Sequence, residues 1–438
     1  MSKFEEVQKE ICKYDYVRFA LCDLNGMNRG QVIAGRYAAE YMDDGLDLCE
    51  DTLVFGPRTE ITTIVHEKNY NIGNMLIFPD ADTLRSIPWA PDGVKVAEVL
   101  CESRWKKDNS PQDACPRYVA RQQLQRLGDL GFDLYSGHEI EFILLDNDTL
   151  KPVFAGDDMY SNRVFNNHSK LLFHFDRHFQ ESKIDVERYH VEMGPGLFEA
   201  VAKPKYGIES PDMAFSLREG LLEMADLEGF KITFMSHPYY NQMGLSTHLN
   251  FSLWNRSGEN IFYDECSPDK LSTVAKRWIA GILKHSKALC AFANPTVNCY
   301  RNLGKFGYPS TICWGIEDRY ACIRAKNDGP SRTYLENRLP GGKSNLYLVL
   351  ASTIAAGLDG VIKKMECPPP GKTKDDESLP LSLAEALDEL EKDEVLCNAL
   401  GKELVTWFVK CKRDVEVAKF KLLKSDEERF AMERVEYL

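Results

Sequence analysis

The sequence predicts an α+β fold in which antiparallel strands line a cleft. Segments with strand character and segments with helical spacing follow each other in an irregular order, which is typical of α+β proteins. Several strand-like segments also carry acidic side chains among apolar neighbours, as in "SGHEIEFILLD" at residues 136–146. Apolar strands that present acids on one side indicate a sheet with one face turned towards a polar site.

Residues 1–105 are predicted to form a small, strand-rich domain. Residues 15–35 alternate apolar and polar side chains around the turn dipeptide Asn25-Gly26, a pattern typical of a β-hairpin. Strand character recurs in "NMLIFPDADTLRSIPW" and "VKVAEVLCE". Residues 106–116 are polar with two prolines, as in a linker, and residues 106–438 are therefore predicted to form the second domain.

Helices and strands are mixed through the second domain. A helix is predicted over 116–131, where the spacing ends in a glycine that suits a C-cap. The remaining predicted helices lie within 210–229, 267–294 and 345–365, and strands within 230–236, 246–253 and 332–339. From Leu379 onward the chain is helical and rich in charge, which is typical of packing or oligomer surfaces.

Composition argues against several classes of protein. A net charge of −13 disfavours nucleic-acid binding through phosphate neutralisation, and no apolar run approaches the roughly 20 residues that a membrane span needs. The 13 cysteines form no CxxC pair, and the charged N-terminal segment lacks the apolar core of a secretory signal. We therefore expect a cytoplasmic protein with reduced thiols that binds neither nucleic acid nor a membrane.

Two acids in the predicted strand 136–146 suggest a metal site. Glu139 and Glu141 are two residues apart, so both side chains point to the same side of a strand. Like charges at that spacing repel, and a divalent cation between them would relieve the repulsion. A lone Glu-x-Glu pair is more often an exposed strand face with two solvated acids.

Three other segments carry side chains of the same kind. Glu192 and Glu199 flank a turn-prone Met-Gly-Pro-Gly, His248 shares a predicted strand face with Asn250, and Glu336 shares one with Arg338. Five glutamates and one histidine form an oxygen-rich ligand set that suits Mg²⁺ or Mn²⁺ better than zinc. Such a set is large enough for two ions, which recur in sites that transfer phosphoryl groups. Sequence distance alone leaves open whether these strands meet.

In order along the chain, these segments resemble the glutamine synthetase family, and most closely its lengsin branch. The family's Glu-x-Glu strand appears as "HEIEF", its Glu-(x)6-Glu hairpin as "VEMGPGLFE", its metal histidine within "GLSTHLNFS", and its Glu-x-Arg-x-Pro segment as "ENRLPGGKSNLYL". "LKHSKALC" and "LVLASTIAAGLDG" are similar to the lengsin branch. The resemblance implies an N-terminal β-grasp domain, a large catalytic domain, and homo-oligomeric, dodecamer-like stacked rings with active sites between neighbouring subunits.

The resemblance also implies roles for individual residues. One Mg²⁺ or Mn²⁺ ion would be bound by Glu141, Glu192 and Glu199, and a second by Glu139, His248 and Glu336. ATP would contact Arg319, Arg324 and Ser252, catalysis would involve Arg319 and Arg338, and the substrate would lie against Gly244, Arg301, Asn302 and Arg338. In the implied reaction, ATP phosphorylates the γ-carboxylate of glutamate, and an amine then displaces phosphate from the acyl phosphate.

The substrate side of the implied site departs from the family pattern. Asn302 stands where the family has an arginine that contacts glutamate, with Arg301 one residue earlier. The flap acid becomes Gly307, a family asparagine becomes Met243, a family glutamine becomes Leu197, and the N-terminal Asp-Gly-Ser-Ser loop becomes "EDTLVFGPRTE". Without those acids the site should bind NH₄⁺ poorly, whereas a larger amine that meets Met243, Phe306 and Tyr308 would lose less hydration.

Two functions are compatible with this sequence. The first is an ATP- and Mg²⁺-dependent ligase that forms a γ-glutamyl amide with an altered ammonium and glutamate site. The second is a lengsin-like structural or chaperone protein that keeps the fold and assembly without catalysis. The complete set of metal-ligand types favours the ligase, and the missing arginine and flap acid favour the structural role. The sequence leaves the amine, the carboxylate substrate and the subunit number open.

Overall fold

The computed structural model describes residues 7, 9–62, 64, 73–240, 242–305 and 307–437. It contains two β-sheets with helices packed against them, which confirms the predicted α+β class. Within the described residues, no helix is both long and apolar enough to span a bilayer.

The first sheet is built from the N-terminal quarter of the chain. Its strands are β1 (Tyr16–Cys22), β2 (Asn28–Ala34), β3 (Leu46–Cys49), β4 (Asn74–Pro79), β5 (Arg85–Ser86) and β6 (Val96–Trp105). They lie in the order β2-β1-β6-β4-β3, with β5 beside β6, and only the β1–β6 pair among them is parallel. The predicted hairpin is confirmed, because β1 and β2 pair antiparallel around a turn in which Gly26 has φ +76°.

The second sheet carries the acids that the sequence singled out. Its strands are β7 (Phe132–Asp146), β8 (Val186–Val191), β9 (Leu197–Ala202), β10 (Lys205–Tyr206), β11 (Phe230–Thr233), β12 (Thr247–Asn255), β13 (Trp314–Ile316), β14 (Ile323–Asn327) and β15 (Thr333–Asn337). Seven of them lie in the order β13-β14-β15-β12-β7-β9-β8, and β10 and β11 also pair with β7. The long strand β7 is therefore the centre of this sheet.

The helices of the described chain pack against the two sheets and against one another. Their bounds are α1 (Gly35–Asp44), α2 (Pro116–Asp129), α3 (Asn162–Glu181), α4 (Glu209–Leu227), α5 (Thr273–Ala293), α6 (Leu346–Ile362), α7 (Leu383–Lys392), α8 (Glu394–Leu400), α9 (Lys402–Cys411), α10 (Ala418–Lys421) and α11 (Asp426–Tyr437). A π-helical segment, Lys412–Val417, joins α9 to α10. Helix α5 begins later than predicted because Ser272 caps it, its side chain accepting from the Ala275 N–H.

One face of β7 is apolar and covered by helices, and the other carries acids. Ile140, Phe142 and Leu144 are fully buried on the first face, which packs against α2 and α4. Glu139 and Glu141 alternate with them and point to the opposite side, as the two-residue spacing predicts.

The first sheet ends at Trp105, the predicted boundary between the two domains. Charged contacts cross this boundary, since Arg117 of α2 is paired with Glu102 of β6 and with Asp212 of α4. Both Arg117 contacts are short, at 2.8 and 2.7 Å, and the Arg117 side chain is buried. We retain residues 1–105 and 106–438 as proposed domains that are held together by such ion pairs.

Helices α5 and α6 cross with their backbones in contact at two glycines. A Cβ atom added to Gly281 would lie 2.2 Å from the carbonyl oxygen of Ala356, and one added to Gly360 would lie 2.1 Å from that of Arg277. Backbone atoms of a packed helix cannot move aside cheaply, so only glycine allows this close approach.

Replacing Gly281 by alanine should therefore destabilise the protein. We expect Gly281→Ala to lower the free energy of unfolding by about 3 kcal/mol, because the added methyl group forces the helices apart. Urea unfolding would measure this loss in the free energy of unfolding. The matched control is Gly128→Ala in α2, where an added Cβ meets nothing within 4 Å. That change should stabilise the protein by about 0.5 kcal/mol through helix propensity, and equal effects of the two changes would contradict the close crossing.

The buried His285 of α5 contacts two acids, Asp359 of α6 and Asp393, which caps α8. The His285 Nδ1 atom lies 2.6 Å from Asp393, and its Nε2 atom lies 3.1 Å from Asp359. Lys363 also contacts Asp359, at 2.9 Å. Burial opposes the charged imidazole, but the hydrogen bonds to Asp393 and Asp359 outweigh burial and raise the pKa of His285.

This arrangement predicts a pH-dependent stability. A pKa raised in the folded state contributes stability that is complete below the unfolded value of about 6.5 and is lost as the pH rises through the folded value. The free energy of unfolding should thus decline above pH about 6.5. His285→Gln should remove that decline, measured by urea unfolding across pH. Exposed His174→Gln is the control, and an unchanged slope in His285→Gln would contradict the assignment.

Candidate active site

Strand register brings the predicted metal ligands together across four strands. On β12, His248 lies opposite Glu139 of β7, and on β9, Glu199 lies opposite Glu141. Glu336 of β15 lies opposite Asn250 of β12, which places it one strand further from β7. Residues that are distant in the sequence are therefore fixed side by side by backbone hydrogen bonds rather than by flexible loops.

These side chains line a cavity of about 640 Å³ on the acidic face of the second sheet. All six predicted metal ligands contribute to its wall, as do Gly244 and the three predicted phosphate-binding arginines, Arg319, Arg324 and Arg338. The structure thus brings together ten of the residues that the sequence proposed for one site.

Glu139, His248 and Glu336 form one compact group of possible ligands. One ligand atom from each lies within 4.8 Å of the others, and His248 Nδ1 is 3.4 Å from both Glu139 and Glu336. Burial opposes the charge on Glu139, but His248 and the nearby Arg188 outweigh burial and lower the pKa of that carboxyl. The group therefore presents carboxylate oxygen atoms and one imidazole nitrogen to the cavity.

A second group contains Glu192 and Glu199 together with His190, whose role the sequence interpretation missed. Their ligand atoms also lie within 4.8 Å of one another, and His190 Nε2 is 3.0 Å from Glu199. Burial and the neighbouring Glu199 raise the pKa of Glu192. The missed signal was the alternation of Arg188, His190 and Glu192, which places all three on one face of the hairpin.

Glu141 lies beside this second group and is held by Ser246. The Ser246 backbone N–H donates to one carboxylate oxygen at 2.7 Å, and the Ser246 hydroxyl donates to the other at 2.9 Å. Burial, with Glu199 and Glu192 close by, raises the pKa of Glu141 well above its ordinary range. A divalent cation among these carboxylates would offset both effects, so the donor set fits Mg²⁺ or Mn²⁺.

Arginines line the wall next to the Glu336 group. Arg324 donates to Glu336 at 3.1 Å and also contacts Glu317, and Arg338 contacts Glu336 as well. The Nε atoms of Arg324 and Arg338 are buried without a hydrogen-bond partner. Arg319 is exposed at the cavity mouth. Guanidinium groups with donors to spare suit a phosphate or carboxylate ligand.

The structure does not bring Arg301, Asn302 or Ser252 to the cavity wall. Ser252 accepts a hydrogen bond from the Trp254 indole N–H at 2.9 Å on the far half of β12. Asn302 lies directly behind Gly244, where an added Cβ would be 2.1 Å from the Asn302 side chain. Asn302 is also bonded to His237 and to the carbonyl of Ser236.

Arg301 points away from the cavity and binds the C-terminal helix α11. Its guanidinium is 2.7 Å from Glu433, whose side chain is fully buried, and 2.9 Å from Asp426. A buried carboxylate needs a cation nearby, and Arg301 supplies it. The sequence interpretation of Arg301 as a substrate contact could not detect this partner, because more than a hundred residues separate the two.

The side of the cavity near Glu141 is partly apolar. Leu197, Met193 and Met243 contribute to its wall, and Gly307 and Tyr308 close it from the flap. Three of the residues that depart from the family pattern thus face the cavity. Phe306 lies outside the described residues.

The comparisons with known proteins agree with this architecture. The family model described as "Glutamine synthetase, catalytic domain" matches residues 113–432. The chain belongs to the glutamine synthetase family. It is 32% identical to "Glutamine synthetase" of Thermotoga maritima over 90% of this chain and 91% of that protein, and 30% identical to "Lengsin" of Rattus norvegicus over 94% of this chain and 75% of that protein.

Solved structures show the same fold. "Crystal structure of novel glutamine synthase homolog" has a TM-score of 0.85 and 25% identity, covering 97% of this chain and 99% of that chain. "Apo GmaS without ligand" has a TM-score of 0.85 and 25% identity, covering 98% of this chain and 99% of that chain. The predicted family and fold are therefore confirmed.

Arg301 and Arg319 are expected to behave differently when truncated. Arg301→Ala should lower the free energy of unfolding by about 3 kcal/mol, because it leaves the buried Glu433 without its cation. Arg319→Ala, at an exposed position, should change it by less than about 0.5 kcal/mol. Urea unfolding of both variants measures this contrast. If Arg301 served the substrate instead, its truncation would weaken glutamate binding and leave stability intact.

Proposed function

We propose that this chain is an ATP- and Mg²⁺-dependent ligase that joins the γ-carboxylate of glutamate to an amine through an acyl phosphate. The observation that carries this proposal is the convergence of five glutamates, one histidine and three arginines on a single cavity. Buried carboxylates so close together cost several kcal/mol unless a cation balances them, so their retention favours a working metal site.

Glu141, Glu192 and Glu199 would hold one divalent ion, and Glu139, His248 and Glu336 a second. Such ions, when bound, neutralise the negative charge that develops on a transferring phosphoryl group. Arg319 and Arg324 would bind the phosphates of ATP, and Arg338 would orient the substrate carboxylate and the acyl phosphate. Ser252 remains a predicted ATP contact, although the cavity wall does not include it.

The apolar wall supports an amine larger than ammonium. Met193, Leu197, Met243 and Tyr308 present hydrocarbon and aromatic surface beside the Glu141 carboxylate. The carboxylates near by would attract a protonated amine, and the apolar wall would bury its alkyl substituent. Ammonium gains nothing from that wall, since it has no apolar surface to bury.

The family resemblance also supports a proposal about the protein's oligomeric state and its cellular compartment. We propose homo-oligomeric stacked rings and a cytoplasmic setting, with ATP, glutamate and an amine as small-molecule substrates. Both proposals rest on the family as a whole.

A lengsin-like structural or chaperone role is the second candidate. The observation that favours it is the loss of the family arginine at Asn302, which here is bonded to His237 and Ser236 behind Gly244. A chain that had lost glutamate binding would keep its fold and its sheet registers without turnover.

Activity assays with a panel of amines distinguish the ligase from the structural role. With ATP, Mg²⁺ and glutamate, ethylamine should give a kcat/KM about tenfold higher than ammonium, because two buried carbon groups contribute roughly 0.8 kcal/mol each. Phosphate release and γ-glutamyl amide formation are the readouts, and Glu336→Gln is the inactive control.

Two results would contradict the ligase. Tight Mg²⁺–ATP binding without phosphate release for any amine would favour the structural role. Failure to bind Mg²⁺–nucleotide at all would remove the basis of the proposal. Equal rates with ammonium and ethylamine would leave the ligase standing and contradict only the apolar amine site.

A further inference from the structure

We propose that His190 is a direct ligand of the metal ion held by Glu192 and Glu199, and that it makes this site prefer Mn²⁺ to Mg²⁺. The inference rests on the proposed function, which requires an ion at these carboxylates. It adds a nitrogen donor that the carboxylate pattern in the sequence did not include.

The strands fix the position of His190. It lies on β8, two residues before Glu192, and the β8–β9 register places it opposite Glu199. The ring packs against Tyr160, with centroids 4.9 Å apart. Strand pairing and this ring contact restrict the imidazole to the neighbourhood of the two carboxylates.

The hydrogen bonds of the ring orient one nitrogen towards the ion. His190 Nδ1 lies 3.3 Å from the carbonyl oxygen of Val191 and 3.5 Å from Glu192. Both of these neighbours are acceptors, so Nδ1 can donate its proton to them while Nε2 binds a metal ion. Histidines that bind metals commonly donate their other N–H to a backbone carbonyl in this way.

The opposite nitrogen then faces an acceptor. His190 Nε2 lies 3.0 Å from a carboxylate oxygen of Glu199. Two lone pairs at that distance repel each other unless a proton or a metal ion lies between them. A divalent ion also bound by Glu192 satisfies all three groups, whose ligand atoms lie within 4.8 Å of one another.

Glu141 is less free to act as the third ligand than the sequence suggests. Both of its oxygens already accept hydrogen bonds from Ser246. Glu141 lies opposite Glu199 and adds negative charge next to the ion. His190 therefore supplies the third donor atom within 4.8 Å, in addition to the Glu141 carboxylate that the proposed function assigns to this ion.

A nitrogen ligand changes the metal preference of the site. Mg²⁺ favours oxygen donors and retains its waters, whereas Mn²⁺ accepts imidazole nitrogen more readily. We expect wild-type protein to bind Mn²⁺ at least about tenfold more tightly than Mg²⁺ at this site. His190→Gln should weaken Mn²⁺ binding by at least about tenfold and Mg²⁺ binding by less than about threefold.

Pulsed EPR of Mn²⁺ on the full chain, without nucleotide, tests this inference independently of activity. His248 would give its own nitrogen coupling, so His248→Gln isolates the signal of His190. We expect nitrogen coupling to persist in His248→Gln and to vanish in the variant that also carries His190→Gln. Labelling the His248→Gln protein with ¹⁵N-histidine should convert the coupling to that of ¹⁵N, which tests His190 without altering it.

Equilibrium dialysis of Mn²⁺ and Mg²⁺ gives the affinities of the same proteins. His174→Gln is the control, because His174 lies on helix α3 and pairs with Glu228 outside the cavity. It should leave both affinities and the nitrogen coupling unchanged.

The outcomes separate this inference from the proposed function. Bound Mn²⁺ without nitrogen coupling in His248→Gln, or unchanged Mn²⁺ affinity in His190→Gln, would overturn the role of His190 and leave the ligase intact. A wild-type protein that binds neither Mn²⁺ nor Mg²⁺ would overturn both.

Discussion

The repulsion among carboxylates on the central sheet is the constraint on which this structure depends. Glu141, Glu192 and Glu199 are largely buried and close together, whereas Arg324 and Arg338 pair with the neighbouring Glu336. Such a group is unfavourable by itself and becomes favourable with divalent cations. The rigid strand registers prevent the acids from separating. The folded protein therefore retains a site whose negative charge favours the binding of cations.

Residues of the candidate site and the neighbouring residues Arg301 and Asn302 are held in place by different kinds of contact. Four of the predicted metal ligands, Glu139, Glu141, Glu199 and His248, lie on paired strands, and backbone hydrogen bonds fix their positions. In the segment after α5, Arg301 instead binds Glu433 of α11, and Asn302 fills the space behind Gly244.

Prediction from sequence succeeded where a local pattern carries the structure. The alternation in β1 and β2 and the Glu-x-Glu of β7 each depend on nearby residues. Helix α3 was not predicted from the sequence, because asparagine and histidine residues of weak helix propensity interrupt its apolar stripe. The alternation of His190 with Glu192 places both on one face, but only the β8–β9 pairing puts the imidazole beside Glu199.

The sequence by itself determined which residue types could serve as ligands and which strand face would carry them, because the two-residue period of a strand is a local property. Only the tertiary structure decided that β7, β9, β12 and β15 lie side by side, that His190 joins the carboxylates, and that Arg301 belongs to Glu433. Those facts depend on contacts between segments far apart in the chain, and no local pattern encodes which distant partner a buried charge will meet.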